Sequence, residues 1–190
     1  AKRLWIIYLF FTLLLILLLW LGPMNLFDSV CHAFTTISTA GFSTKQASIA
    51  YWDSAYVEYV IVVFMFIGGI NFPLLYFFMN GDPKKLLKNE EFKWYVMIIF
   101  IFVVIITIGL FFSGKISGVE RAFRTSLFQV VSMITTTCYS TENFITWGSF
   151  YQFFIIILML CGACAGSTAG GIKIVRIIIL FKKFICYLGF

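Results

Sequence analysis

Long apolar runs separated by short polar segments dominate the chain. Residues 4–21 contain a single polar side chain, Thr12, and residues 94–112 likewise contain only Thr107. A membrane-crossing helix needs about 20 predominantly apolar residues. By that measure the pattern predicts four spans, over about 4–22, 54–79, 94–112 and 150–183.

Two of these runs are interrupted by polar or conformationally special residues. The second run holds Glu58, the pair Gly68-Gly69, Asn71 and Pro73. We interpret Asn71 and Pro73 as a kink that neighbouring helices satisfy, with a pore-lining role as the alternative. The fourth run is broken near its middle by the string GACAGSTAGG.

This glycine-rich break, at 162–171, has several interpretations. A phosphate-binding loop fails because Ile172 follows Gly171, where that motif requires a lysine. Close helix packing through small residues and a flexible break in the helix both stay open. Lys173 and Arg176 come next, and we interpret them as anchors that reach the lipid headgroups. Cationic control of the inner pore mouth is the alternative role for these two side chains.

Two further apolar stretches are too short or too polar to cross a bilayer. They predict re-entrant half-helices over about 25–37 and 119–135. Each is followed by a run of small and hydroxyl residues, STAGFST at 38–44 and TTTCYST at 135–141. A shift of 97 positions aligns the two runs. It pairs Thr39 with Thr136, Gly41 with Cys138, Phe42 with Tyr139, Ser43 with Ser140 and Thr44 with Thr141.

This internal repeat predicts the fold class. We expect an all-α membrane protein with two parallel span–half-helix–filter loop–span repeats of a potassium-channel-like pore. The repeats cover 1–80 and 94–190, and a linker over 81–93 joins them. Backbone carbonyls in the loops at 38–44 and 136–141 can replace the water shell of a cation. The loops therefore predict an ion-selectivity filter, with ordinary extracellular loops rich in Ser and Thr as the alternative.

Composition and charge agree with a membrane protein. Charged residues make up 12% of the chain and hydrophobic residues 62%, against about 25% and 45–50% in soluble domains. The formal charge of +6 is distributed unevenly along the predicted topology. One side carries Lys2, Arg3, Lys84, Lys85, Lys88, Lys93, Lys173, Arg176, Lys182 and Lys183, and the other only Lys45, Lys115, Arg121 and Arg124. The positive-inside rule then places both termini and the linker in the cytoplasm. The expected partner of this charge is membrane lipid, not nucleic acid.

The reactive side chains predict neither catalysis nor a protein metal centre. Five cysteines in 190 residues are too few for a disulfide scaffold, and we interpret them as buried reduced thiols. His32, the only histidine, follows Cys31, but no second such pair completes four metal ligands, so a packed histidine is favoured. No nucleophile–base–orienter set occurs, so an enzyme is not expected.

Three strings resemble the Trk-type potassium uptake proteins, a superfamily that includes the Ktr and HKT transporters. They are FTTISTAGFST at 34–44, VVSMITTTCYST at 130–141 and GACAGSTAGGIKIVR at 162–176. Members hold four such repeats around one pore, and this chain matches the second and third. The resemblance implies K+ as the transported ion and no organic cofactor. It also implies a multi-pass bacterial or archaeal plasma-membrane protein. The implied partners are the two remaining repeats, a second copy in a homodimer and a cytosolic nucleotide-binding regulatory ring.

The resemblance also assigns site residues. The implied filter residues are Thr39, Ala40, Gly41, Phe42, Thr136, Thr137, Cys138 and Tyr139, with potassium at Ala40, Gly41, Thr137 and Cys138. The implied gating loop, which obstructs the pore and moves, includes Gly162, Gly166, Ser167, Thr168, Gly170, Gly171 and Lys173. Cys138 departs from the family pattern, which has Gly there and associates that Gly with potassium preference. Two alternatives to potassium uptake therefore stay open, a sodium-permeable cation transporter and a secondary transporter of a small solute.

Overall fold

The computed structural model describes residues 2–114, 116 and 118–187. Lys115, one of the basic residues predicted to face outward, lies outside those ranges. The described helices are α1 (Lys2–Trp20), α2 (Leu26–Ile37), α3 (Ala55–Gly68), α4 (Phe72–Met79), α5 (Pro83–Lys88), α6 (Glu90–Phe112), α7 (Val119–Ile134), α8 (Ser149–Leu160) and α9 (Ile174–Tyr187). Short 3-10 helices at Ser48–Trp52 and Phe144–Trp147 follow the two predicted filter loops.

Helices α1 and α6 are each long and apolar enough to cross a membrane. Their outward side chains, such as Trp5, Leu9 and Phe100, are exposed, while Leu15, Leu19 and Ile106 are buried against the rest of the chain. A helix that is apolar on all sides is typical of a membrane span. These two helices therefore form the apolar flank of each repeat.

The predicted span over 54–79 is interrupted at the predicted kink. It consists of α3 and α4, which meet at a bend of 106°. Gly69 ends α3, Asn71 caps α4 by accepting a hydrogen bond from the Leu74 N–H at 3.4 Å, and Pro73 lies in the first turn of α4. Proline at a helix start and a side-chain cap both favour a new helix over continuation of the old one.

Of two other predicted features, the break in the fourth run is present in the structure and the linker boundary differs from it. The predicted span over 150–183 consists of two helices, α8 and α9, separated by the glycine-rich segment. The predicted linker over 81–93 contains the short helix α5, and α6 begins at Glu90 rather than at about 94. The earlier start has a local cause, because the Asn89 side chain accepts a hydrogen bond from the Phe92 N–H at 3.1 Å and caps α6.

The two repeats meet where α3 packs against α7. A largely buried ion pair lies in this contact, with Arg124 Nε 3.4 Å from a carboxylate oxygen of Glu58. Arg124 also lies 3.5 Å from Glu120, which accepts a hydrogen bond from Tyr59. A buried charge that loses its partner is strongly destabilising. This ion pair therefore holds the second half-helix, α7, against the first repeat.

The bend between α3 and α4 generates a prediction about two adjacent glycines. A Cβ on Gly69 would meet the hydroxyl of Tyr95, a fully buried side chain stacked on Phe66. A Cβ on Gly68 would have ordinary contacts, the nearest at 3.4 Å from Thr39. Because overpacking costs about 1–3 kcal/mol, Gly69→Ala should lower the thermal midpoint of the purified protein in detergent. Gly68→Ala is the matched control, and equal midpoints for the two variants would contradict this packing.

Candidate functional site

The two loops that follow the half-helices have the same backbone hydrogen bonds. After α2, the Thr35 carbonyl accepts hydrogen bonds from the N–H groups of Ala40 at 2.8 Å and Gly41 at 3.3 Å. After α7, the Ser132 carbonyl accepts hydrogen bonds from Thr137 at 3.0 Å and Cys138 at 3.1 Å. The same shift of 97 positions relates every one of these residues, so the repeat seen in the sequence is also a repeat of backbone geometry.

Backbone angles alternate in sign along both loops. Thr39 and Gly41 have φ of 53° and 71°, and their counterparts Thr136 and Cys138 have φ of 56° and 59°. The intervening Ala40 and its counterpart have φ in the ordinary negative range. A left-handed conformation costs a non-glycine residue about 1–2 kcal/mol, and such strain is concentrated at functional sites. Three of these four left-handed residues are not glycine.

These hydrogen bonds determine where the loop carbonyls point. In a trans peptide, the N–H of one residue is antiparallel to the carbonyl of the residue before it. The N–H groups of Ala40 and Gly41 point back to Thr35, so the carbonyls of Thr39 and Ala40 point away from α2. By the same geometry the carbonyls of Thr136 and Thr137 point away from α7. Both loops therefore present two successive carbonyl oxygens on the side opposite their half-helix.

The two loops approach each other at Gly41. A Cβ built on Gly41 would collide with the carbonyl oxygen of Thr137. The left-handed φ of this position favours glycine, and the close contact with another backbone requires it. Its counterpart Cys138 is exposed and carries a side chain at a similar φ.

The aromatic residues of the two loops have different environments. Tyr139 is fully buried, and its hydroxyl lies 2.5 Å from Thr35 Oγ1 and 3.4 Å from Thr36 Oγ1 on the first half-helix. The Ser132 hydroxyl donates to the Tyr139 carbonyl at 2.7 Å. Phe42, the counterpart of Tyr139, is 77% exposed. The second loop is thus fastened to the half-helix of the first repeat through Tyr139.

The glycine-rich segment lies against the start of both loops, where they leave the half-helices. The Thr168 hydroxyl lies within hydrogen-bond distance of the Ile37 carbonyl, 2.9 Å, and the Gly68 carbonyl, 3.1 Å. The Thr39 hydroxyl donates to the Thr168 carbonyl at 2.9 Å, and the Gly170 N–H donates to Thr136 Oγ1 at 2.7 Å. The segment therefore contacts Thr39 and Thr136, the first residue with left-handed φ in each loop.

The same segment forms backbone hydrogen bonds with the bend between α3 and α4. The Cys164 N–H donates to the Gly69 carbonyl at 3.1 Å, and the Phe72 N–H donates to the Gly166 carbonyl at 3.2 Å. A backbone bridge between Cys161 and Ile172 brings its two ends together. Such bonds satisfy irregular backbone where it is shielded from water.

Lys173 does not extend toward the headgroups. Its Nζ donates hydrogen bonds to the Ala169 carbonyl and, at 3.4 Å, to Ser167 Oγ. The interpretation of Lys173 as a headgroup anchor is therefore wrong, because its ammonium group donates its hydrogen bonds to residues of the glycine-rich segment. Arg176, one turn further on, is exposed.

Sequence reasoning missed one residue of this region, Glu91. Its carboxylate accepts a hydrogen bond from the Ala165 N–H at 2.5 Å, and the residue is only 8% exposed. The neighbouring Glu90 is exposed and pairs with Lys182 of α9 at 2.8 Å. A carboxylate at a helix start is common, so nothing in the local pattern separates the two acids. Only the fold brings Glu91 to the glycine-rich segment.

The fold and this site define a class of protein, an all-helical membrane protein built from pore-forming repeats. Among the described residues no three His, Cys, Asp or Glu side chains lie together as a metal site. The chain belongs to the TrkH family, whose model, described as a cation transport protein, matches residues 1–189. The predicted family and fold class are confirmed.

Individual relatives agree with this assignment. The Trk system potassium uptake protein TrkH of Escherichia coli K12 is 38% identical over 184 residues, 96% of this chain. TrkH of Vibrio parahaemolyticus is 37% identical over 183 residues, 95% of this chain. The crystal structure of the potassium transporter TrkH from Vibrio parahaemolyticus superimposes with a TM-score of 0.95 at 35% identity, covering 99% of this chain and 41% of that one. The chain spans about 38% of the length of these curated relatives.

The Glu91 contact generates a prediction about the glycine-rich segment. Glu91→Leu leaves the Ala165 N–H without its charged partner, a loss of about 1.5–3 kcal/mol for such a hydrogen bond. The adjacent buried Cys164 should then react with a small thiol reagent about ten to a hundred times faster, measured with the other cysteines replaced. Glu90→Leu is the matched control and should leave the labelling rate unchanged. Equal rates in both variants would show that Glu91 does not hold the segment.

Proposed function

We propose that this chain forms two sides of a four-sided selectivity filter through which potassium enters the cell. The observation that carries the proposal is the repeated loop geometry, in which Thr39, Ala40, Thr136 and Thr137 each turn a carbonyl away from a half-helix. Carbonyl oxygens in such rings replace the hydration shell of potassium. The relatives' names, potassium uptake proteins, support the choice of ion.

The C-terminal ends of the half-helices add an electrostatic field at the loop carbonyls that favours a cation. Helix C-termini carry partial negative charge, and α2 and α7 both end at the loops. Neither helix has a basic residue in its last turn to cancel that charge. A cation at the loop carbonyls is therefore stabilised by both helix ends, while an anion is repelled.

The glycine-rich segment is proposed as the gate. Its contacts to Thr39 and Thr136 support a position directly beneath the loops, from which the proposed gate would obstruct passage. Opening requires those contacts and the Glu91 hydrogen bond to break. Glycine permits the backbone change at low steric cost, and Gly166 and Gly171 already have φ of 74° and 73°.

The proposed assembly goes beyond this chain. Two further repeats would complete the ring of carbonyls, and the Trk family resemblance supports their presence in the same polypeptide. It also supports a homodimer and a cytosolic nucleotide-binding ring that acts on the cytoplasmic face, where the 81–93 linker lies in the proposed topology. Phe42 is exposed where its counterpart Tyr139 is buried, which supports a neighbouring repeat at that side of the first loop.

A sodium-permeable transporter is the second candidate, and Cys138 is the observation that favours it. A side chain at φ 59° restricts the backbone states that let successive carbonyls face one axis. Looser coordination on that side would discriminate less between potassium and the smaller sodium ion.

An exchange of residues between the two loops tests the filter. Gly41→Cys introduces a Cβ that collides with Thr137 and should lower the ratio of potassium to sodium flux on the order of tenfold. Cys138→Gly removes the corresponding strain and should raise that ratio. Both variants are measured as ion flux into liposomes containing the purified full-length protein.

The control for this exchange is Gly114→Cys. Gly114 has a similar φ, 63°, but a Cβ there would meet no atom within 4 Å. Its flux ratio should equal that of the unmodified protein. If Gly41→Cys and Gly114→Cys have the same ratio while flux persists, the loops are not the filter. If the unmodified protein carries no potassium, the proposed function itself fails.

The proposed topology is testable independently of flux. We propose that both termini and the 81–93 linker lie in the cytoplasm, because cations cluster there. Single cysteines at the exposed positions Lys84 and Gln46 are introduced into a cysteine-free background. A membrane-impermeant thiol reagent applied to intact cells should label position 46 and leave position 84 unlabelled. The reverse pattern would place the loops on the cytoplasmic side and contradict the direction of the filter.

A further inference from the structure

Side chains of the first half-helix, α2, form hydrogen bonds with the outer end of the first loop. We call this set of contacts the brace. His32 is fully buried on α2, and its Nδ1 lies 2.7 Å from the Asp28 carbonyl. A carbonyl oxygen can only accept a hydrogen bond, so Nδ1 carries the proton. In the neutral ring, Nε2 is then the acceptor, and it lies 3.0 Å from the Ser43 hydroxyl. Ser43 in turn accepts a hydrogen bond from the Lys45 N–H at 3.1 Å.

Two rings and one carboxylate complete this brace. The His32 ring is edge-on to Trp52, with centroids 4.9 Å apart, and lies 6.0 Å from the ring of Tyr139. One turn earlier on α2, the Asp28 carboxylate accepts a hydrogen bond from the Thr44 hydroxyl at 2.6 Å. The imidazole thus fills a closed site between the half-helix, the outer end of the first loop and the second loop's tyrosine.

The second repeat has no equivalent brace among the described residues. Gln129 occupies the position of His32 after the shift of 97, and it is just as buried. Both polar atoms of its side-chain amide lack a hydrogen-bond partner, as does the Thr141 hydroxyl, which corresponds to Thr44. The two loops share a backbone path, but the second is tied to its own half-helix through Ser132 and the Tyr139 carbonyl, and not through the positions that correspond to His32 and Thr44.

We infer that His32 is a positioning residue for ion selectivity, which holds the first filter loop in shape through its hydrogen bond to Ser43. This inference rests on the proposed function. Its physical basis is that the loop backbone at 39–42 is bounded on one end by α2 and on the other by Ser43. With Ser43 released, the nearest remaining tie to α2 at that end is the Thr44 hydroxyl on the Asp28 carboxylate, one residue further from the carbonyls of Thr39 and Ala40. The ring contacts no carbonyl assigned to the ion, so His32 acts through the loop.

The test compares four variants of the full-length protein by potassium and sodium flux into liposomes. His32→Leu and Ser43→Ala each remove the contact and should lower the potassium-to-sodium ratio about tenfold, the scale of one lost buried hydrogen bond. The double variant should lose no more than either single one, because both remove the same contact. His32→Gln keeps a side-chain oxygen that can accept the hydrogen bond of the Ser43 hydroxyl, and it should recover much of the ratio.

Cys31→Ala is the matched control on the same helix turn and should leave the ratio unchanged. Additive losses in the double variant, or an unchanged ratio in Ser43→Ala with flux intact, would overturn the inference while leaving the proposed function standing. The Ser43→Ala result decides the question even if His32→Leu fails to fold. Loss of selectivity in Cys31→Ala equal to that in His32→Leu would also overturn it, since any packing change in α2 would then suffice.

Discussion

The structure depends on a single arrangement, in which the last carbonyls of each half-helix accept the N–H groups of the loop that follows. Irregular backbone at membrane depth must have its polar groups satisfied by protein or water. Thr35 and Ser132 each satisfy two N–H groups, and the trans peptide then directs the preceding carbonyls the other way. A helix end that would otherwise have unpaired acceptors thereby supports a row of loop carbonyls that point away from it.

The two breaks in the apolar runs depend on each other. The bend between α3 and α4 leaves the carbonyls of Gly68 and Gly69 free of helical partners, and the glycine-rich segment donates N–H groups to both. Asn71 caps the start of α4, so the backbone groups at the end of α3 and at the start of α4 both have hydrogen-bond partners. The sequence interpretation of Asn71 as part of a satisfied kink names the right residue, but the satisfying partner is a loop 95 or so positions further on rather than a neighbouring helix.

The two repeats share a backbone and differ in how that backbone is held. The first loop is tied through His32 and Asp28 to its own half-helix, while the second is tied through Tyr139 to the half-helix of the other repeat. Glycine at 41 is required by a close backbone approach, whereas Cys138 is exposed and its side chain has room. Because the two loops are held by different contacts, the second loop can carry a side chain at position 138 where the first loop requires glycine at position 41.

The sequence by itself determined the helical class, the two repeats and the family, because each rests on local pattern. Apolar length predicts spans, and a shift of 97 positions aligns Thr39, Gly41 and Phe42 with their counterparts. What only the tertiary structure decided is the 106° bend, the inward turn of Lys173, and the contacts of Glu91 and His32. Glu91 and Glu90 are adjacent acids at the same helix start, and only a partner 74 positions away distinguishes them. A hydrogen bond between residues so far apart in sequence has no local signature, because it depends on where the whole chain places both groups.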